Sequence, residues 1–215
     1  SAAPWLKAKF GAKTAIGSHI AGVQATWGKI FDLGPDFAVD GRQFDRLLRD
    51  GDTLAIGGLT LTVWNTPGHT PACKMLLVEG ASGAKHVFLG DTLFMPDLGT
   101  ARCDFPGGSA RTLYRSIRRV LALPGETLLY VCHDYPPEGR ETRWRTTVAE
   151  QRAANIHVKD GIGEDAYVAM REARDKTLPV PTLLLPSIQV NIRGGELPPA
   201  AANGVRYLKI PLDAI

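Results

Sequence analysis

The stretch W-N-T-P-G-H-T-P fills residues 64–71 and follows a predicted strand that begins at Leu59. Pro67 and Gly68 fix a turn directly after this strand, because proline presets φ and glycine tolerates conformations that other residues avoid. The turn therefore aims one imidazole, that of His69, at little cost in conformational entropy. A backbone constrained so firmly around a single histidine makes His69 a candidate ligand.

Two further predicted strands end in the same way. Residues 86–89 run into G-D-T, which contains Asp91, and residues 128–132 run into H-D-Y, which begins at His133. Imidazole and carboxylate are ligands of zinc and of non-haem iron. A histidine after a strand is more commonly a hydrogen-bonded surface or core residue, and an aspartate after glycine commonly caps a turn or helix. Three such strand ends, including that of His69, together favour a metal site without identifying the metal.

The composition excludes several classes of protein. The 215-residue chain is 44% hydrophobic and 22% charged, which is typical of a globular domain with a buried core. Its net charge is only +3, and lysine and arginine are spread along the chain, so we expect no nucleic-acid partner. No apolar run approaches the length of a membrane span, so we expect no membrane contact.

The cysteines bear on the cellular compartment. Cys73, Cys103 and Cys132 form no C-x-x-C pair and are odd in number. This pattern favours reduced thiols, and we therefore predict a cytoplasmic location. We expect Cys132, which ends an apolar run, to pack in the core.

The predicted secondary structure alternates between strands and helices. Residues 53–56 and 59–64 flank G-G and predict a hairpin, and residues 73–78 and 86–89 predict two strands around a turn at residues 80–83. Helices are predicted at residues 2–10, which end at Gly11, at residues 19–30 with Ser18 as N-cap, and at residues 110–122, 143–155 and 164–176. This order predicts a layered α/β architecture with mixed sheets.

The motifs resemble those of a known superfamily. The order T-P-G-H-T, G-D-T and C-H-D-Y is similar to the later motifs of the metallo-β-lactamase superfamily. The stretch G-D-T-L-F-M-P-D-L-G-T-A-R-C-D-F-P-G-G at residues 90–108 resembles the persulfide dioxygenase (sulfur dioxygenase) family, in particular its bacterial branch of β-lactamase-like hydrolases. T-L-Y-R-S-I at residues 112–117 and V-N-I-R-G-G at residues 190–195 match as well. The resemblance spans nearly the whole chain and implies an αββα sandwich.

One motif of the family does not occur in this sequence. Members carry H-x-H-x-D-H just before the position that matches Ser1, and their iron is held by one histidine of that motif, the histidine of G-H-T and the aspartate of G-D. Only the last two are matched here, by His69 and Asp91. We therefore expect residues 1–215 to form a single metallo-β-lactamase-like domain that is N-terminally incomplete, without its first strands and first metal motif. By themselves these residues should bind metal weakly, because two ligands cannot replace three in a facial triad.

The resemblance implies an iron-dependent persulfide dioxygenase of sulfide detoxification. One Fe(II) per chain would serve the oxidation of glutathione persulfide by oxygen to sulfite and glutathione. The resemblance implies that the catalytic site contains Arg102, Asp104 and His133. Arg102 and Asp104 would support the site without binding the metal. Tyr135 and Arg193 are candidates for holding glutathione, since arginine binds a carboxylate bidentately. A role in a surface ion pair is an equal alternative for Arg193. Assembly of the protein into a homodimer is a further possibility.

Two other functions remain as alternatives. In dinuclear zinc hydrolases of the superfamily, the residue matching His133 binds a second metal and the residue matching Asp91 bridges the two ions. Such a site activates water and would make a glyoxalase II-like thioesterase or a lactonase. The proline-broken tail at residues 182–215 differs from the long helical domain of glyoxalase II, which ranks this function second. The third alternative is a non-catalytic fragment with an incomplete metal site.

Overall fold

The computed structural model describes residues 1–80 and 83–212, so Ala81 and Ser82 of the predicted turn lie outside the described residues. The chain divides into two compact units, residues 49–178 and residues 1–48 together with 179–215. In chain order the described elements are α1 (Ala3–Phe10), β1 (Ala15–Gly17), α2 (Ile20–Ile30), β2 (Arg46–Leu48), β3 (Thr53–Ile56), β4 (Leu59–Asn65), β5 (Lys74–Glu79), β6 (Lys85–Phe88), α3 (Ala110–Leu121), β7 (Leu128–Tyr130), β8 (Arg145–Thr147), α4 (Val148–Ala154), α5 (Glu164–Asp175) and α6 (Leu184–Asn191).

The unit of residues 49–178 is built on a six-stranded mixed sheet with the order β3-β4-β5-β6-β7-β8. Every neighbouring pair is antiparallel except β6 and β7, which run parallel with His86 opposite Leu128. Parallel neighbours need a crossover connection, and α3 lies in the chain between these two strands. The parallel pair brings the ends of β6 and β7 to the same edge of the sheet.

The core of this unit packs one face of the sheet against helices. Alternate residues of the strands point into it, because side chains of a strand alternate between the two faces. The fully buried contributors from the sheet are Met75, Val87 and Leu129, and those from α3 are Leu113, Ile117 and Val120. The strand ends that carry the candidate ligands are thus anchored by buried neighbours.

The other unit contains a smaller sheet and its own core. Strands β1 and β2 pair in parallel. Trp27 and Phe31 of α2 stack with their ring centroids 5.5 Å apart, and Phe37 and Ile192 complete the buried cluster. As predicted, α1 ends at Gly11, whose φ of 61° is the left-handed conformation that favours glycine at a helix end.

Three local predictions were wrong. The predicted helix at residues 143–155 begins instead with strand β8, because Thr147 and Glu150 form a capping box that starts α4 only at Val148. The N-cap of α2 is His19, without a side-chain capping bond, rather than Ser18. Cys132 is exposed rather than in the core, because β7 already ends at Tyr130.

The predicted α/β architecture with mixed sheets is confirmed by these elements. Within residues 1–80 and 83–212, no helix combines the length and the apolar character that a membrane crossing requires.

Candidate metal centre

Asp91 and His133 lie together at the edge of the large sheet. They follow the parallel strands β6 and β7, whose ends are joined by a hydrogen bond from the Leu89 amide to the Tyr130 carbonyl at 3.0 Å. The His133 Nε2 atom is 3.1 Å from Asp91 Oδ1. The strand-end pattern of the sequence therefore brings these two candidate ligands into contact.

The Asp91 carboxylate has one oxygen that the protein leaves without a hydrogen bond. Oδ1 is buried and has no hydrogen-bond partner in the described part of the chain, so the approach of His133 does not satisfy it. The Asp91 side chain as a whole is 38% exposed. A buried carboxylate oxygen without a donor is costly unless something else binds it, and a cation is a chemically suitable partner.

The turn that carries His69 is packed tightly against α3. Gly68 has φ of 142°, and a Cβ at this position would lie 2.3 Å from the Leu113 Cα. The Gly68 carbonyl accepts from the Ser109 amide at 2.8 Å, and the Pro67 carbonyl accepts from Ser116 Oγ at 2.7 Å. The glycine of T-P-G-H-T is thus required by a close approach of the turn to the helix.

One nitrogen of the His69 ring is held by the backbone. Nδ1 lies 2.7 Å from the Arg102 carbonyl oxygen. A carbonyl can only accept, so this contact assigns the proton to Nδ1 and leaves the Nε2 lone pair for a ligand. Histidines that bind metals are commonly fixed in this way through their other nitrogen.

Arg102, whose carbonyl contacts His69, forms an ion pair with Asp104. The guanidinium donates to both carboxylate oxygens of Asp104 at 2.6 Å, and it holds the pKa of that carboxyl below its usual value. The Arg102 guanidinium also lies 4.9 Å from the centre of the Phe105 ring, which contacts His69 edge-on at 5.4 Å. The two predicted supporting residues therefore pair with each other, and Phe105 contacts both the Arg102 guanidinium and the His69 ring.

The H-D-Y segment is fixed by an arginine that the sequence analysis did not select. Arg140 donates to both carboxylate oxygens of Asp134 at 2.6 and 2.8 Å, and to Asp97 Oδ1 at 3.1 Å. The Asp134 side chain is only 3% exposed, and its bonds to Arg140 lower its pKa. Arg140 thereby joins the loop after Asp91 to the loop after His133. The sequence contains no spacing signal for this contact.

Tyr135 continues the same loop towards solvent. Its ring stacks on that of His133, with centroids 5.9 Å apart and an angle of 17° between the planes. Phe94 contacts His133 edge-on at 6.4 Å. Tyr135 is 65% exposed, so it presents an aromatic surface beside the candidate ligands.

Arg193 belongs to the other unit, which comprises residues 1–48 and 179–215. Its guanidinium lies 4.6 Å from the centre of the Phe37 ring, and burial lowers its pKa. Its Nε atom is buried without a hydrogen-bond partner among the residues that the structure describes. The assignment of Arg193 to a substrate carboxylate stays a prediction.

The donor chemistry fits a metal ion, but the described residues do not assemble a complete set. His69 offers an unprotonated Nε2, and Asp91 offers an unsatisfied oxygen beside His133. Across residues 1–80 and 83–212, no three histidine, cysteine, aspartate or glutamate side chains form a group that could hold an ion. The roles of His69, Asp91 and His133 as ligands therefore remain proposals.

The mixed sheet, its helices and the histidine–carboxylate edge define a metallo-β-lactamase fold. The family model described as the metallo-β-lactamase superfamily matches residues 1–133, and the chain belongs to this superfamily. A crystal structure of ETHE1 from Myxococcus xanthus is similar, with a TM-score of 0.69, 29% sequence identity, and coverage of 91% of this chain and 72% of that chain. Members of the superfamily bind metal ions.

The curated relatives differ in the activity that their names state. A probable metallo-hydrolase of Burkholderia pseudomallei is 59% identical over 100% of this chain and 75% of that protein. Glyoxylase B2 of Dictyostelium discoideum is 53% identical over 99% of this chain and 72% of its own length. The human mitochondrial persulfide dioxygenase ETHE1 is 32% identical over 76% of this chain and 59% of its own length. Enzymes are thus the common class among these relatives.

Proposed function

We propose that this chain, in its full-length protein, is an iron-dependent persulfide dioxygenase that oxidises glutathione persulfide. The observation that carries the proposal is the segment A-R-C-D-F at residues 101–105, whose Arg102 carbonyl fixes His69 while its guanidinium pairs with Asp104. The 32% identity to the human persulfide dioxygenase supports the same activity.

The residues of the chain would hold and orient the reactants. His69, through Nε2, and Asp91 would bind Fe(II), which when bound supplies the redox chemistry with oxygen that side chains lack. His133 would lie beside the Asp91 carboxylate at 3.1 Å without being a ligand itself. The exposed ring of Tyr135 would contact glutathione. The binding of a substrate carboxylate by Arg193 stays a separate prediction from the sequence, as a guanidinium can do this bidentately.

The overall reaction balances with water. Glutathione persulfide, oxygen and water give glutathione, sulfite and protons. The terminal sulfur is oxidised and oxygen is reduced, while the sulfur–sulfur bond breaks and the inner sulfur leaves as the glutathione thiol.

The test is oxygen uptake by the full-length protein reconstituted with Fe(II). Given glutathione persulfide, it should consume oxygen and release sulfite, and the zinc form should do neither, because zinc has no redox chemistry to offer. Asp91→Ala should abolish turnover and lower the iron content. His133→Ala should leave the iron content largely intact. The absence of oxygen uptake from an iron-loaded sample would end this proposal.

The second candidate is a dinuclear zinc hydrolase, which the contact between Asp91 and His133 favours. The names of the metallo-hydrolase and glyoxylase relatives support it as well. Asp91 would bridge two zinc ions and His133 would hold the second. The expected result is then two zinc ions per chain, the loss of one in His133→Ala, and hydrolysis of a thioester or lactone without oxygen. Metal content and oxygen uptake of wild type and His133→Ala distinguish the two functions.

A further inference from the structure

A buried ion pair lies on α5, away from the candidate ligands. The Arg171 and Asp175 side chains are 2% and 5% exposed, with Arg171 Nη2 2.6 Å from Asp175 Oδ1. Arg171 Nε also donates to the same oxygen at 2.9 Å. Apolar replacements of such pairs are often neutral or stabilising, because desolvation of the charges offsets their attraction. A contribution to stability is therefore a weak explanation for the presence of this ion pair.

The other polar atoms of the pair bind the backbone of one segment, residues 100–103. Arg171 Nη1 donates to the Thr100 carbonyl at 3.2 Å, and Asp175 Oδ2 accepts from the Cys103 amide at 2.8 Å. His157 Nδ1 accepts from the Thr100 amide at 3.0 Å. Backbone groups at both ends of the segment are therefore tied to buried side chains.

Between these two ends lies the carbonyl that holds His69. The Arg102 carbonyl accepts from His69 Nδ1 at 2.7 Å, and it belongs to the peptide unit whose amide is that of Cys103. Because a peptide unit is planar, a partner that fixes the Cys103 amide also fixes the direction of the Arg102 carbonyl. Asp175 therefore acts on His69 through a single rigid group.

We propose that Asp175 is a positioning residue for His69. Asp175 holds the Arg102–Cys103 peptide so that its carbonyl keeps the proton on Nδ1 and leaves Nε2 as the ligand atom, and Arg171 balances the buried charge of Asp175. Neither side chain is one of the candidate ligands. The consequence for metal binding rests on the proposed role of His69, whereas the effect on the His69 ring does not.

Two double variants that both remove the ion pair separate positioning from stability. In Arg171→Leu with Asp175→Leu, the Cys103 amide loses its acceptor. In Arg171→Leu with Asp175→Asn, the asparagine carbonyl still accepts from that amide, which makes this variant the matched control. Val120→Ala, in the buried face of α3, serves as a control for destabilisation elsewhere in the core.

The first measurement is solvent exchange of the His69 Nδ1 proton in metal-free protein labelled with ¹⁵N-histidine. We expect exchange at least about tenfold faster in the leucine pair, and close to the wild-type rate in the asparagine variant and in Val120→Ala. The second measurement is the dissociation constant for Zn²⁺, which should rise roughly 10- to 100-fold in the leucine pair alone. Equal exchange rates in the two double variants would overturn the proposal.

The proton measurement also separates this inference from the proposed function. If exchange responds as expected but no variant binds metal, positioning stands and the metal site fails. If the leucine pair does not fold, Arg171→Leu with Asp175→Ala replaces it, since alanine also removes the acceptor of the Cys103 amide. Faster exchange in this variant than in the asparagine variant supports the proposal, and equal rates contradict it.

Discussion

At the scale of single residues, the candidate centre combines a constrained ligand, His69, with an unsatisfied one, Asp91. His69 has one nitrogen bound to a carbonyl and its turn pressed against α3, while Asp91 has a buried oxygen without a hydrogen bond. Constraint of this kind keeps a ligand in one orientation before any ion arrives, which reduces the entropy lost on binding.

Gly68→Ala tests whether the His69 turn needs glycine. The new Cβ would lie 2.3 Å from the Leu113 Cα and 2.4 Å from its amide nitrogen, so helix or turn must shift. We expect the free energy of unfolding to fall by about 2 kcal/mol, in the range of overpacked cores. Denaturant titration measures this change.

The matched control for that change is Gly58→Ala. No atom lies within 4 Å of a Cβ at Gly58 in the part of the chain that the structure describes. The substitution should alter stability by less than about 0.5 kcal/mol. Equal effects of the two substitutions would show that the close approach of Gly68 to α3 has no energetic consequence.

At the scale of elements, the sequence predicts what local patterns encode and misses what distant contacts decide. The strand-end pattern predicted a site that contains Asp91 and His133, and the structure shows that they meet because the parallel strands β6 and β7 end at one edge of the sheet. The T-x-x-E pattern at Thr147 would have identified the start of α4, and overlooking it made β8 part of a helix. The contact of Asp175 with Cys103 spans 72 residues and has no local signature.

Arg140 joins two loops, and its removal should loosen both. In Arg140→Met, the 3%-exposed Asp134 carboxylate would lose its guanidinium and keep the Arg143 amide at 2.7 Å as a donor. A buried charge without its partner is destabilising, so we expect the Tm to fall by several degrees. The ring resonances of His133 should shift as well, since Asp134 adjoins it.

Arg152→Met is the control for the loss of a guanidinium. Arg152 pairs with Asp160 at 2.9 Å, but both side chains are 47% exposed. Surface pairs contribute little, so this variant should unfold close to the wild-type temperature. If Arg140→Met were as mild as Arg152→Met, the two loops would not depend on Arg140 for their stability.

At the scale of the whole molecule, a buried neutral histidine links stability to pH. His157 is 6% exposed, and its Nδ1 accepts from the Thr100 amide, which a protonated ring could not do. Burial, together with the charges of Arg171 and Arg174, lowers its pKa from 6.5 to about 4. At pH values between these two, the His157 imidazole therefore stays neutral in the folded protein but is protonated in the unfolded chain.

The direction of the pH effect follows from this lowered pKa. Between pH 6.5 and about 4 the unfolded chain binds the proton and the folded chain does not, so the free energy of unfolding falls as the pH drops through this range. The full effect is about 3 kcal/mol, from a pKa difference of roughly two and a half units. Above pH 6.5 both states are neutral at this residue and its contribution is constant.

His157→Asn isolates this contribution from the other titrating groups, because asparagine does not ionise. Denaturant titrations of wild type and variant at a series of pH values give the difference in unfolding free energy at each pH. The advantage of the wild type should be largest above pH 6.5 and should shrink steadily towards pH 4 as the unfolded chain takes up its proton. A difference that stays constant across this range would mean that the folded protein accepts the proton as readily as the unfolded chain. The buried contact between His157 and Thr100 would then contribute nothing to the pH dependence of the fold.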